Sequence, residues 1–484
     1  MVQEMDIGKI GLPVLVALAA VAGVLAQSEA REFRTTEAKA HYQKALGYEN
    51  TGVWPAAILE LNQARQIEPE NPAVVTELGI AHAERREWKP ALTYLRKAVA
   101  LAPGSVRAHY NLALTLDRAE PGKGTGAAEY RRALKMDPRH VDSLINLGVD
   151  LGDQNPKEAR QLFERAIHVA PKNANAHLNL ALLLKRETPE SASVLEFREA
   201  IRLDPDLVEA RRQIVALLMS QQQWTQVVDQ CHEILRREPE DASTQYTMGQ
   251  ALVRNGQTDE GKKDLERAQA MRKRHQETQE AQELQNEGVR DLSAGKSSDA
   301  IKALTTAVRL DPSSANHMYL GLALAASGEV KSGMQELAAA LELDPNNARA
   351  HVNLGSVYLQ NGQEFLAKGE FEKALQIDPW FPEAHNNLGL ILSKSNEAEQ
   401  AEQHFRLAAD LEPQYLEAVF NHGLSLRALN RLDDALAAFR RAAELAPGNA
   451  QVQYALGLTL KDKGELRSAQ AALDRAAALE RQSK

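Results

Sequence analysis

Only one of the 484 residues is cysteine, Cys231, and aromatic residues make up just 5% of the chain. A single thiol excludes an internal disulfide, a thiolate zinc site and a CxxCH haem attachment. The Cys-His-Glu stretch at 231–233 has no second His four residues on, so the helical zinc-protease spacing is absent as well. Cys231 reads as a small core residue. Scarce aromatics beside abundant Ala and Leu leave little material for sheets. Positive charge is also short: 57 Lys and Arg stand against 66 Asp and Glu, a net charge of −9 with no basic stripe. That lacks the phosphate-neutralising charge on which nucleic-acid binding depends.

Long apolar runs are missing except for one. Residues 10–26, IGLPVLVALAAVAGVLA, precede the polar QSEAREFR. Val24-Leu25-Ala26 suits cleavage after Ala26, although Glu4 and Asp6 oppose the usual positive leader. Two readings stay open for 1–26: a cleaved secretory signal peptide or a retained membrane anchor. Either places the rest of the chain outside the cytoplasm, periplasmic or extracellular.

Proline is sparse but regular. Pro69, Pro103, Pro138, Pro171, Pro205 and Pro239 recur every 33–35 residues, and Pro312, Pro345, Pro379, Pro413 and Pro447 resume the period. Five residues before most of them stands Ala, as at Ala64, Ala98, Ala133, Ala340, Ala374 and Ala442. Leu-Gly or Leu-Ala comes earlier in the unit, as at Leu78-Gly79, Leu112-Ala113, Leu354-Gly355 and Leu388-Gly389. A period of this length marks a helical solenoid in which each unit is an antiparallel helix pair, A then B. Small residues let helices approach, Leu and Phe fill between them, Gly ends helix A, and Pro follows helix B.

At these residues the chain resembles the tetratricopeptide-repeat family. Residues 348–381 carry Leu354, Gly355, Tyr358, Gly362, Ala367, Phe371, Ala374 and Pro379 in the family's positions. The resemblance implies an all-α, right-handed solenoid of about thirteen units, with starts near 38, 72, 106, 141, 174, 208, 242, 281, 315, 348, 382, 416 and 450. It also implies a general interaction scaffold.

The ruler breaks once. Between Pro239 and Pro312 nothing stops a helix, and Gln, Glu, Ala and Arg favour one. One continuous helix is expected over 259–292, roughly 50 Å long at 1.5 Å per residue. It would connect an N-terminal array of about seven repeats (38–275) to a C-terminal array of about six (281–484).

One word is written repeatedly: AHYNLA at 108–113, AHLNLA at 176–181, AHVNLG at 350–355 and AHNNLG at 384–389. The sixth position of the unit holds Asn111, Asn146, Asn179, Asn286, Asn353, Asn387 and Asn421. Equivalent positions align along one face of a solenoid. Apolar neighbours accompany them at positions 5 and 9, among them Tyr110, Val352, Phe420 and Tyr454, then Leu390 and Leu424. An amide both donates and accepts, so a row of amides beside an apolar strip suits an extended peptide. The row is similar to the asparagine ladder of the protein O-linked N-acetylglucosamine transferases. That resemblance implies peptide capture through the seven Asn only, because no glycosyltransferase domain follows LERQSK.

The His at position 4 (His41, His109, His177, His351, His385) reads as packing. Successive repeats would hold these rings about 10 Å apart, too far to share an ion. Trp88 and Trp224 read as packing too. GKGTG at 122–126 lacks the strand and the GK[ST] ending of a phosphate loop and reads as an expanded A–B turn. With no catalytic constellation, the expectation is a non-enzymatic scaffold without metal or cofactor. Its expected partner is a protein or peptide rather than nucleic acid, with membrane contact only through 1–26. Two alternatives stay open: a self-associating structural protein, joined through its C-terminal end, and an accessory subunit that captures substrate for an envelope enzyme.

Overall fold

The computed structural model describes residues 33–187 and 190–482, so the 1–26 segment lies outside the described residues. Among the described residues there are 25 α-helices, and none is long and apolar enough to cross a membrane. The chain forms two compact units, one through Leu217 and one from Leu218.

The first unit is a run of helix pairs. They are Thr36–Asn50 with Trp54–Ile67, Pro72–Glu84 with Trp88–Leu101, Val106–Ala119 with Ala127–Met136, Val141–Leu151 with Pro156–Val169, and Ala174–Glu187 with Glu190–Leu203. In the second unit, Trp224–Arg237 and Ala242–Arg254 precede a 36-residue helix, Thr258–Ser293. That helix serves as helix B of repeat 7 and helix A of repeat 8. Residues 272–280 in its middle bury nothing, so propensity rather than packing keeps them helical. The expected array boundary lay at this helix, whereas the compact units divide at 217/218, and the helix falls wholly within the second. After Ser297–Leu310 come five pairs: Ser314–Ala326 with Val330–Leu343, Ala348–Gln360 with Glu364–Ile377, Pro382–Lys394 with Ala398–Leu411, Leu416–Ala428 with Leu432–Leu445, and Ala450–Asp462 with Leu466–Gln482.

The periodic residues act at identifiable places. The residue before each closing Pro donates its N–H to the carbonyl four residues earlier, an Ala in all but Glu238 to Ile234, as in Asp378 to Ala374 at 2.8 Å. The Pro therefore arrives where no helical donor is needed. A Cβ on Gly355 would stand 2.7 Å from the Phe371 ring, so the eighth position must be small for the two helices to meet. Gly362 closes its A–B turn at φ +74°, while Arg86, Gln222, Asn396 and Asn430 take the same left-handed conformation without being glycine.

Candidate functional site

Position 6 of helix A has different neighbours in the two units. In the first, Asn111 donates to the Arg107 carbonyl at 2.9 Å and Asn179 to that of Asn175 at 2.8 Å, each one turn back in its own helix. Asn146 bonds the Tyr110 hydroxyl, and the Tyr110 ring packs on Tyr130 and His140. Burial, first of all, pushes the Tyr110 hydroxyl up. In repeat 2 the slot holds Glu77, fully buried, which takes the Arg107 guanidinium at 2.6 Å and the Tyr42 hydroxyl at 3.2 Å. Burial, reinforced by the Glu77 charge, pushes the neighbouring Glu49 far above the usual carboxylate range. Ion pairs Glu84–Arg118 at 2.6 Å and Asp153–Arg186 at 2.5 Å tie adjacent A helices near their C-terminal ends.

The second unit spends its amides differently. Asn421 donates to Asn386 Oδ1 of the preceding repeat at 2.9 Å, and Asn387 to Ser356 Oγ at 3.3 Å. Asn353 is half-buried, and its amide makes no hydrogen bond among the described residues. Asn286 is exposed on the long helix and accepts from Gln282 at 3.4 Å. Leu424 is 39% and Tyr454 53% exposed, while Leu390 and Phe420 are half-buried. Val352 differs from expectation: it is 5% exposed and packs into the core with Phe371 and Leu388. Position 5 lies on the flank of helix A that turns toward the next repeat, as buried Ile145, Leu178 and Asn386 also show. Among these apolar side chains the exposed ones are Leu424 at position 9 and, in the last repeat, Tyr454 at position 5.

The position-4 histidines are more than packing. Their Nδ1 atoms meet a helix-B glutamate in five repeats: His41–Glu60 at 2.5 Å, His109–Glu129, His177–Glu196 and His351–Glu370 at 2.6 Å, and His317–Glu336 at 2.7 Å. Nε2 of His109, His177 and His351 reaches the carbonyl of the preceding repeat's Pro at 3.1–3.2 Å. Each of these three rings fastens helix A, helix B and the inter-repeat turn together. The sequence held the signal, a Glu 19 or 20 residues after the His, which the packing reading passed over.

The expanded turn at 122–126 carries a second polar group. Gly126 N–H donates to Asp117 Oδ1 at 2.7 Å, and burial with the Asp117 charge raises the Asp150 carboxyl to about 7. Cys231 is buried, which pushes its thiol up to about 12. Among the described residues, no three His, Cys, Asp or Glu side chains converge on one ion.

Sequence profiles described as TPR repeat match residues 321–362 and 423–464. Profiles described as Tetratricopeptide repeat match 76–138, 150–208, 348–379, 382–415 and 450–483.

The chain belongs to the tetratricopeptide-repeat family.

Tetratricopeptide repeats are interaction modules for other proteins. The E3 ubiquitin-protein ligase CHIP of Arabidopsis thaliana is 35% identical over 81 residues, 17% of this chain and 29% of the ligase. The chain thus spans under a third of that relative's length. Among solved structures, YrrB, described as a TPR protein with an unusual peptide-binding site, is 28% identical over 37% of this chain and 93% of its own (TM-score 0.33). The Cut9–Hcn1 structure matches 94% of this chain and 96% of its own at 15% identity (TM-score 0.40).

Proposed function

We propose that this tetratricopeptide-repeat protein is a non-catalytic scaffold that holds an extended peptide along the A helices of repeats 10–13. The observation that carries the reading is the Asn353 amide. It is half-buried, has no hydrogen-bond partner among the described residues, and belongs to the same row as Asn387 and Asn421, beside exposed Leu424 and Tyr454. An incoming backbone amide can give Asn353 both a donor and an acceptor. The apolar strip at Leu390, Leu424 and Tyr454 takes side chains from the same segment. Asn387 and Asn421 keep their carbonyl oxygens for the ligand while their N–H groups hold the repeats in register. The 10–26 apolar run supports an exported or membrane-tethered protein.

The test is selection of random twelve-residue peptides on the full chain, followed by calorimetry with the enriched sequence. One hydrogen bond is worth about 0.5–1.5 kcal/mol, so Asn353→Ala, which removes two, should weaken binding roughly five- to 150-fold with an unchanged melting profile. Failure to enrich any peptide, or equal binding by Asn353→Ala, contradicts the reading.

A further inference from the structure

Repeat 11 departs from the His–Glu rule. His385 occupies the same slot as His351, and its Nε2 reaches the Pro379 carbonyl at 3.0 Å, yet the helix-B partner is His404 instead of a glutamate. The two Nδ1 atoms are 2.8 Å apart and the ring centroids 5.1 Å. The centroid separation is close to the nitrogen separation plus the two ring radii, so the nitrogens face each other head-on. Lone pairs in that arrangement share a proton and do not converge on an ion.

The proton count follows from the partners. Nε2–H of His385 is committed to the Pro379 carbonyl, so its Nδ1 carries the lone pair of the neutral ring. His404 must donate through Nδ1. A first extra proton can enter at Nε2 of half-buried His404 and leave that bond intact. A second would set two N–H groups against each other and break it. In the five His–Glu repeats the facing group is a carboxylate, which attracts a protonated ring.

We propose that the His385–His404 pair makes repeat 11 an acid-labile joint in the second unit, one that opens in mild acid while the His–Glu repeats stay closed. Burial holds both rings below the ordinary histidine value, and the His385 ring adds to this at His404, which falls to about 4. On the other side, Asp378 in the turn after Glu364–Ile377 is the charged group that favours a proton on His385. From Leu416–Ala428, His422 belongs to a separate network with Glu402, Asp410 and Arg406, none of which acts on the pair. A ring depressed in the folded state contributes stability above about 6.5 that is lost as the pH falls from there toward 4. The opening constant rises by up to tenfold per pH unit for each proton taken up. Asn353 and Asn421 stand on either side of the joint, so opening separates the two amides.

Hydrogen exchange read by mass spectrometry on the full chain tests this, with rates corrected for intrinsic pH dependence. Between pH 7.5 and 5, protection in Pro382–Lys394 and Ala398–Leu411 should fall at least tenfold more than in Ala348–Gln360 and Glu364–Ile377. His404→Glu restores the pair used elsewhere and should abolish the difference, with melting at pH 7.5 confirming its fold. An equal loss in repeat 10, no extra loss in repeat 11, or an extra loss that persists in His404→Glu would overturn the proposal.

Discussion

Asn111 and Asn353 stand at the same position of their repeats, 242 residues apart, and are used in opposite ways. Asn111 turns its amide back to the Arg107 carbonyl, whereas Asn353 leaves its amide without a hydrogen-bond partner among the described residues. Asn387 and Asn421 form a third case, each spending one N–H on the preceding repeat. The residue in the slot is constant, and the outcome is set by what the neighbouring helix offers. In the first unit a buried Glu77–Arg107 pair and rim ion pairs already join the A helices. In the second unit the rim pair Arg427–Asp462 at 2.7 Å does the same between later A helices, and at position 6 amides and a hydroxyl do the joining, with one amide left over.

Four substitutions break or sharpen that contrast. Arg107→Ala should have the largest effect, because it strands fully buried Glu77 without its cation. A loss of about 3–5 kcal/mol is expected in urea unfolding. Asn421→Ala removes the bond to buried Asn386 and should cost about 1–3 kcal/mol in the same assay. Asp150→Asn addresses the expanded turn. The Asp150 carboxyl titrates near 7 when folded, so the folded chain keeps a proton that the unfolded chain releases, and stability falls as the pH rises from about 4 through 7. The variant should therefore be more stable than the parent at pH 8, and denaturation at pH 4 should show that advantage shrinking. Asn111→Ala should be the mildest. It trades a back-bonded amide for a better helix former, a stabilisation of at most about 0.7 kcal/mol.

The helix pairs were legible because Pro, Gly and Ala recur where backbone geometry demands them. Pro379 follows its helix, Gly362 takes a positive φ, and Gly355 meets Phe371. The uninterrupted helix was legible for the opposite reason, since nothing between Thr258 and Ser293 stops one. The site was less legible. Seven asparagines share a register, but whether an amide is spent depends on atoms one repeat away, such as Ser356 for Asn387. Val352 was misplaced because spacing alone does not reveal which flank of helix A the next repeat covers. The His–Glu fastening went unseen because it joins two helices through residues 19 or 20 apart, outside any local helical window.

The most direct measurement is calorimetric titration of one enriched peptide into the full chain and into the Asn353→Ala and Asn111→Ala variants. The account predicts roughly five- to 150-fold weaker binding for Asn353→Ala and no change for Asn111→Ala. Equal affinity for all three proteins, or a loss confined to Asn111→Ala, would contradict it.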